Sequence, residues 1–97
     1  MDIKFSIVPN VQKVNVPFPV IVFVKGTVHG AQITVTLSEE GGTFKATQVV
    51  PADATGFATA PFIVVLQSPG HVHLSADAND QVNGGFATSA DSVQVIP

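Results

Sequence analysis

Ala31-Gln32-Ile33-Thr34-Val35-Thr36-Leu37 is the stretch on which the fold class of this chain turns. Ile33, Val35 and Leu37 fall on one side of a two-residue period, with Gln32, Thr34 and Thr36 on the other. That is the pattern of a half-buried β-strand. Ser38-Glu39-Glu40-Gly41-Gly42 follows as a hairpin loop whose glycines reach positive φ at little steric cost. Thr43 to Val50 reads as the returning strand.

The same logic extends toward the N-terminus. Ile3, Phe5 and Ile7 alternate with Lys4, Ser6 and Val8, then Pro9-Asn10 interrupts, and Val11 to Val16 resumes with Val14 and Val16 in step. A proline kink of this kind lets a first strand change sheets. Pro17-Phe18-Pro19 ends the element. Val20-Ile21-Val22-Phe23-Val24 is continuously apolar, which marks a strand buried on both faces or lying under a partner. Lys25 to Gly30 is a loop.

Toward the C-terminus, Pro51 to Gly56 is a turn and Phe57 to Leu66 a strand, with Pro61 implying a sheet edge or a bulge. Gln67 to Gly70 turns the chain again. His71 to Asp77 alternates, Val72, Leu74 and Ala76 pointing inward and His71, His73 and Ser75 outward. Asn79 to Gly85 is a polar loop, and Phe86 to Ile96 closes the chain. These elements predict an all-β fold, an immunoglobulin-like β-sandwich of about seven antiparallel strands, with residues 1–97 forming a single domain.

Composition agrees. The chain holds 17 Val, 6 Ile and 8 Thr against 3 Leu, and branching at Cβ favours a pleated sheet over a helix. Only 11% of residues are charged, all four basic residues are lysines, and the net charge is −3. Without arginine, and with a charge that repels phosphate, nucleic-acid binding is excluded. No cysteine is present, so disulfides, thiolate chemistry and a cysteine-type zinc site are excluded too. No apolar run is long enough to span a bilayer or to serve as a signal peptide. A surface short of charge and rich in threonine suits a protein that packs against a scaffold or against copies of itself, and equally a stable, secreted-style β domain with a neutral surface.

Three stretches carry a family resemblance. Gly26-x-x-x-Gly30-Ala31-x-Ile33-x-Val35, Asp53-x-x-Gly56-x-Ala58-Thr59 and Gly70-x-x-x-Leu74-x-Ala76 occur in an order and spacing similar to the bacterial immunoglobulin-like modules of invasin- and intimin-type adhesins. The physical reasons are plain: glycine permits the tight turn, Asp bonds the turn's own amides, and alanine fits between sheets. The motifs span roughly half the chain. Solitary modules that resemble these also decorate tailed-phage particles, so the resemblance implies adhesion or display and transfers no catalytic residue.

The side chains capable of chemistry do not add up to a site. His71 and His73, at i and i+2 on one strand face, are close enough to share a metal, but a third ligand would have to come from His29 or Asp77. His73, Ser75 and Asp77 are triad residue types on one straight strand, with no elbow and no oxyanion donors. Asp77, Asn79 and Asp80 lack the ligand spacing of an EF-hand, and Glu39 with Glu40 reads as a solvated hairpin tip. Gly41-Gly42 and Gly84-Gly85 lack the helix or lysine of a phosphate cradle.

No catalytic, cofactor or metal residue is therefore assigned, and the chain is expected not to be an enzyme. The expected role is a phage capsid decoration protein on the virion, bound to the major capsid protein or another virion protein, or to itself. The docking element is expected in Met1 to Pro19 or in Asn79 to Gly85. The alternative is a spacer or binding module of an adhesin on a bacterial surface.

Overall fold

The computed structural model describes residues 1–97 and contains strands and turns with no helix. The strands are β1 (Asp2–Lys4), β2 (Val11–Lys13), β3 (Phe18–Lys25), β4 (Gln32–Glu39), β5 (Lys45–Pro51), β6 (Phe57–Val64), β7 (Gly70–Asp80) and β8 (Gly85–Ile96). They form a three-stranded sheet in the order β1-β3-β6 and a five-stranded sheet in the order β2-β8-β7-β4-β5.

The two sheets meet because each turns its apolar parity toward the other. Phe18, Val20, Val22 and Val24 of β3 and Ala58, Ala60, Phe62 and Val64 of β6 are buried on one side. Ile33, Val35 and Leu37 of β4, Val72, Leu74, Ala76 and Ala78 of β7, and Val93 and Val95 of β8 are buried on the other. Small residues lie beside large ones across the ladder, Ala58 opposite Val24 and Ala60 opposite Val22. These belong to one continuous core of 20 buried residues.

The N-terminal segment changes sheets at Pro9, where the Val8–Pro9 peptide bond is cis. Before it, β1 pairs antiparallel with β3. After it, β2 runs parallel to β8, Val11 aligned with Gln94 and Lys13 with Ile96. Splitting the first strand gives eight strands where about seven were expected, and it makes one pair parallel in a fold expected to be antiparallel throughout. Phe5 and Ile7, in the crossing segment, are buried, and the Ile7 amide donates to the Asp91 carboxylate at 2.9 Å. Met1 to Pro19 is thus woven into both sheets.

Two further expectations are adjusted and one holds. The strand expected over Phe57 to Leu66 ends at Val64; beyond it the Leu66 carbonyl accepts from Asn15 at 2.8 Å, while Leu66 itself stays in the core. Pro61 does mark an edge, since β6 pairs only with β3, and its carbonyl accepts the Gln48 side-chain amide from β5. That bond closes the seam between the sheets at this edge. The polar loop expected from Asn79 to Gly85 is shorter. Asn79 and Asp80 remain in β7, leaving residues 81–84 as the turn. Gly84, at φ +79°, donates from its amide to the Asp80 carbonyl at 2.8 Å.

Candidate functional site

Each sheet also has an outer face, and the two differ in chemistry. On the three-stranded sheet, Ile21 and Phe23 of β3 are 42% and 48% exposed, and Phe57 and Ile63 of β6 are 45% and 66% exposed. The register places Ile63 opposite Pro19, Pro61 opposite Ile21 and Phe57 opposite Lys25, so these side chains form one apolar stripe. Asp2, Lys4 and Lys25 bound it at one end. The continuous run Val20 to Val24 is therefore buried on one face only. Within this chain, nothing covers the other.

The outer face of the five-stranded sheet is polar. One row across it reads Thr47, Thr36, Asp77, Thr88, and the next reads Lys45, Ser38, Ser75, Ala90. The Thr36 and Thr47 hydroxyls are hydrogen-bonded at 3.1 Å. Farther along β7, His73 stands opposite Ser92 and His71 opposite Gln94. Both histidines are exposed, with ring centroids 5.2 Å apart in an edge arrangement.

The expected candidates are not drawn together. His29 lies in the β3–β4 loop, and no cluster of three potential metal ligands occurs anywhere in the molecule. His73, Ser75 and Asp77 occupy successive outward positions of one strand. Asp77 and Asn79 share that outer face, whereas Asp80 has the opposite parity and is buried. The Asp80 carboxylate accepts from the Asn83 backbone amide at 3.1 Å and from its side-chain amide at 2.9 Å, so it fastens the β7–β8 turn. Glu39 accepts from the Phe44 amide at 3.3 Å and is packed against Gly42, a structural use. The surface carries no pocket.

The Asp53 turn behaves as its sequence implies. Asp53 Oδ1 accepts from the Thr55 amide at 2.9 Å, the Thr55 hydroxyl at 2.7 Å and the Phe57 amide at 3.0 Å. The Thr55 hydroxyl first, then the amides of Phe57 and Thr55, hold Asp53 below the usual carboxylate value. The Asn83 side-chain amide, then its backbone amide, do the same for Asp80. Depressed values mean that both carboxylates stabilise the fold above about pH 4, the unfolded value, and lose that contribution as pH falls through the folded values. In thermal melts, Tm is expected to fall on acidification below about pH 4. The double variant Asp53→Asn, Asp80→Asn melts several degrees lower at neutral pH and loses less on acidification. An equal acid-induced loss in both proteins would contradict this assignment.

Sequence reasoning missed two features. Asp91, an inward-facing position on β8, ties the crossing segment through Ile7, and nothing in its neighbourhood in sequence signals that bond. The apolar stripe did leave a signal: β6 is apolar on both parities, with Phe57 and Ile63 on one and Ala58, Ala60, Phe62 and Val64 on the other.

No protein-family model matches the chain, and no curated protein matches it. Solved structures do. The CARDB domain of a Pyrococcus furiosus protein, determined in complex with di-metal ions, is similar at a TM-score of 0.62 and 21% identity, over 98% of this chain and 84% of that one. A superoxide reductase (neelaredoxin) from Ignicoccus hospitalis is similar at a TM-score of 0.62 and 20% identity, over 97% of this chain and 79% of that one. At such identities the likeness speaks for the fold alone, and what this chain shares with both is a β-sandwich.

Proposed function

We propose that this chain is a non-enzymatic immunoglobulin-like display module, related to the bacterial immunoglobulin-like domains, that docks on a tailed-phage capsid as a decoration protein. The observation that carries the reading is the uncovered apolar stripe of Ile21, Phe23, Phe57 and Ile63. A strand apolar on both faces matches burial on both sides, and the missing cover is assigned to the major capsid protein or another virion protein. Many copies on a lattice bind through avidity, so each contact can be small. The polar sheet then faces solvent and keeps the decorated particle soluble. The net charge of −3 argues against contact with packaged nucleic acid, and no helix is long and apolar enough to cross a membrane.

Ile63→Lys tests this. The side chain is mostly exposed, so stability is expected to stay within about 0.5 kcal/mol of wild type. Co-sedimentation with purified capsids is expected to be lost, because docking would bury an unpaired ammonium. Gln94→Lys, on the opposite sheet, is expected to sediment like wild type. Wild-type protein that ignores every capsid offered, or Ile63→Lys protein that still sediments, would end the proposal.

One observation favours a second reading, a spacer module of a bacterial surface adhesin. Met1 lies against Gly85 at the start of β8, and the chain ends just beyond Ile96 at the far end of that 12-residue strand. The molecule measures 43 × 21 × 16 Å, so its termini lie at opposite ends of an elongated body. That geometry suits modules strung end to end. The reading predicts that the apolar stripe contacts a neighbouring module and that capsids are not bound.

A further inference from the structure

We propose that His71 and His73 form a two-ligand site for a borderline divalent transition ion, Zn²⁺, Ni²⁺ or Cu²⁺, on the polar outer face. This stands apart from the docking reading, since the pair lies on the opposite sheet from the apolar stripe. The sequence alone gave no third protein ligand, and the structure supplies none. A two-ligand site needs none, because water fills the remaining positions.

Geometry carries the argument. In zinc sites the metal–nitrogen distance is about 2.0–2.1 Å, and the ring centre lies about 1.1 Å beyond the nitrogen, so each ring centre stands about 3.2 Å from the ion. Two such rings at a tetrahedral angle of about 109° have centres about 5 Å apart. The rings of His71 and His73 are 5.2 Å apart. The i, i+2 spacing brings both side chains up from the same face of β7, and their torsions set the ring separation. Both positions are paired with β8, and the His73 carbonyl is held by the Glu40 amide as well, so the backbone is ordered and chelation requires only side-chain rotation.

The surroundings leave room for an ion. His73 faces Ser92 and His71 faces Gln94 across β8, small or flexible neutral residues. On the other side the Glu40 amide donates to the His73 carbonyl at 2.9 Å. No lysine shares these rows. Imidazole nitrogen suits Zn²⁺, Ni²⁺ and Cu²⁺ and discriminates against Mg²⁺, which demands oxygen.

The test follows imidazole ring signals by NMR in untagged full-length protein, titrated with Zn²⁺ at about pH 7.5, where ordinary imidazole is uncharged. The His71 and His73 signals are expected to shift together and saturate at one ion per chain. His29, in the β3–β4 loop, serves as an internal control and stays in place, and Mg²⁺ at the same concentration shifts nothing. In His71→Ala the shift of His73 is lost over the same range, and in His73→Ala that of His71 is lost. Both positions are exposed, so each variant keeps the wild-type backbone spectrum away from β7 and β8. Absence of a saturable shift, equal movement of His29, or a His73 shift that survives His71→Ala would overturn the site.

Discussion

Gly56→Ala is expected to melt about 10–20 °C below the wild-type chain, from a cost of about 2–4 kcal/mol. Two independent terms combine. Gly56 has φ +81°, a conformation in which a Cβ is strained, and a Cβ built there would stand 2.8 Å from the Thr27 carbonyl oxygen. Backbone cannot yield as a flexible side chain would. The same carbonyl-rich contact holds two turns together: the Gly56 carbonyl accepts from the Thr27 amide at 3.2 Å and from its hydroxyl at 3.1 Å. Moving the chain to relieve the clash breaks those bonds. Gly41 is the control, with φ +71° but no atom within 4 Å of a built Cβ. Gly41→Ala bears the conformational cost alone and is expected to lose no more than about half as much. Equal losses at the two glycines would show that the contact with Thr27 has no energetic role.

Leu74→Ala is the second large effect, at about 2–5 kcal/mol. Leu74 is fully buried on β7, the middle strand of the five-stranded sheet. Its removal opens a cavity between two sheets that are each fixed by their ladders, so the walls cannot collapse to fill it. Total stability for a domain of this size is about 5–15 kcal/mol, so the loss is a large fraction of it. Denaturant unfolding followed by circular dichroism checks this, with a midpoint shifted strongly and a slope preserved. A shift below about 1 kcal/mol would mean that the core there is loosely packed.

The core was legible because burial follows residue parity. Ile33, Val35 and Leu37 read inward from the sequence and are inward, as are Val72, Leu74 and Ala76. The sheet switch was legible at Pro9 for the same reason that proline breaks a ladder. The parallel pairing of β2 with β8 was not, because strand partners depend on where the chain travels after the break, which no local pattern encodes. The length of the β7–β8 hairpin was misread at Asn79 and Asp80. Both are turn-forming types, yet the buried Asp80 carboxylate is satisfied by Asn83, three residues on, and so the strand continues to it. The candidate surface was half visible: Val20 to Val24 announced two apolar faces, but only the fold separates the face that makes the core from the face left open. The histidine pair was visible as spacing. Its ring separation was not, since that is set by side-chain torsions.

The account rests on the outer face of β3 and β6 being the side that meets a partner. Cross-saturation NMR measures this directly, with isotope-labelled protein exchanging on and off unlabelled capsids. The account predicts that saturation concentrates on Ile21, Phe23, Phe57 and Ile63 and spares Thr36, Thr47 and Gln94. Saturation centred on the polar sheet, or on the 81–84 turn with the stripe untouched, would contradict it.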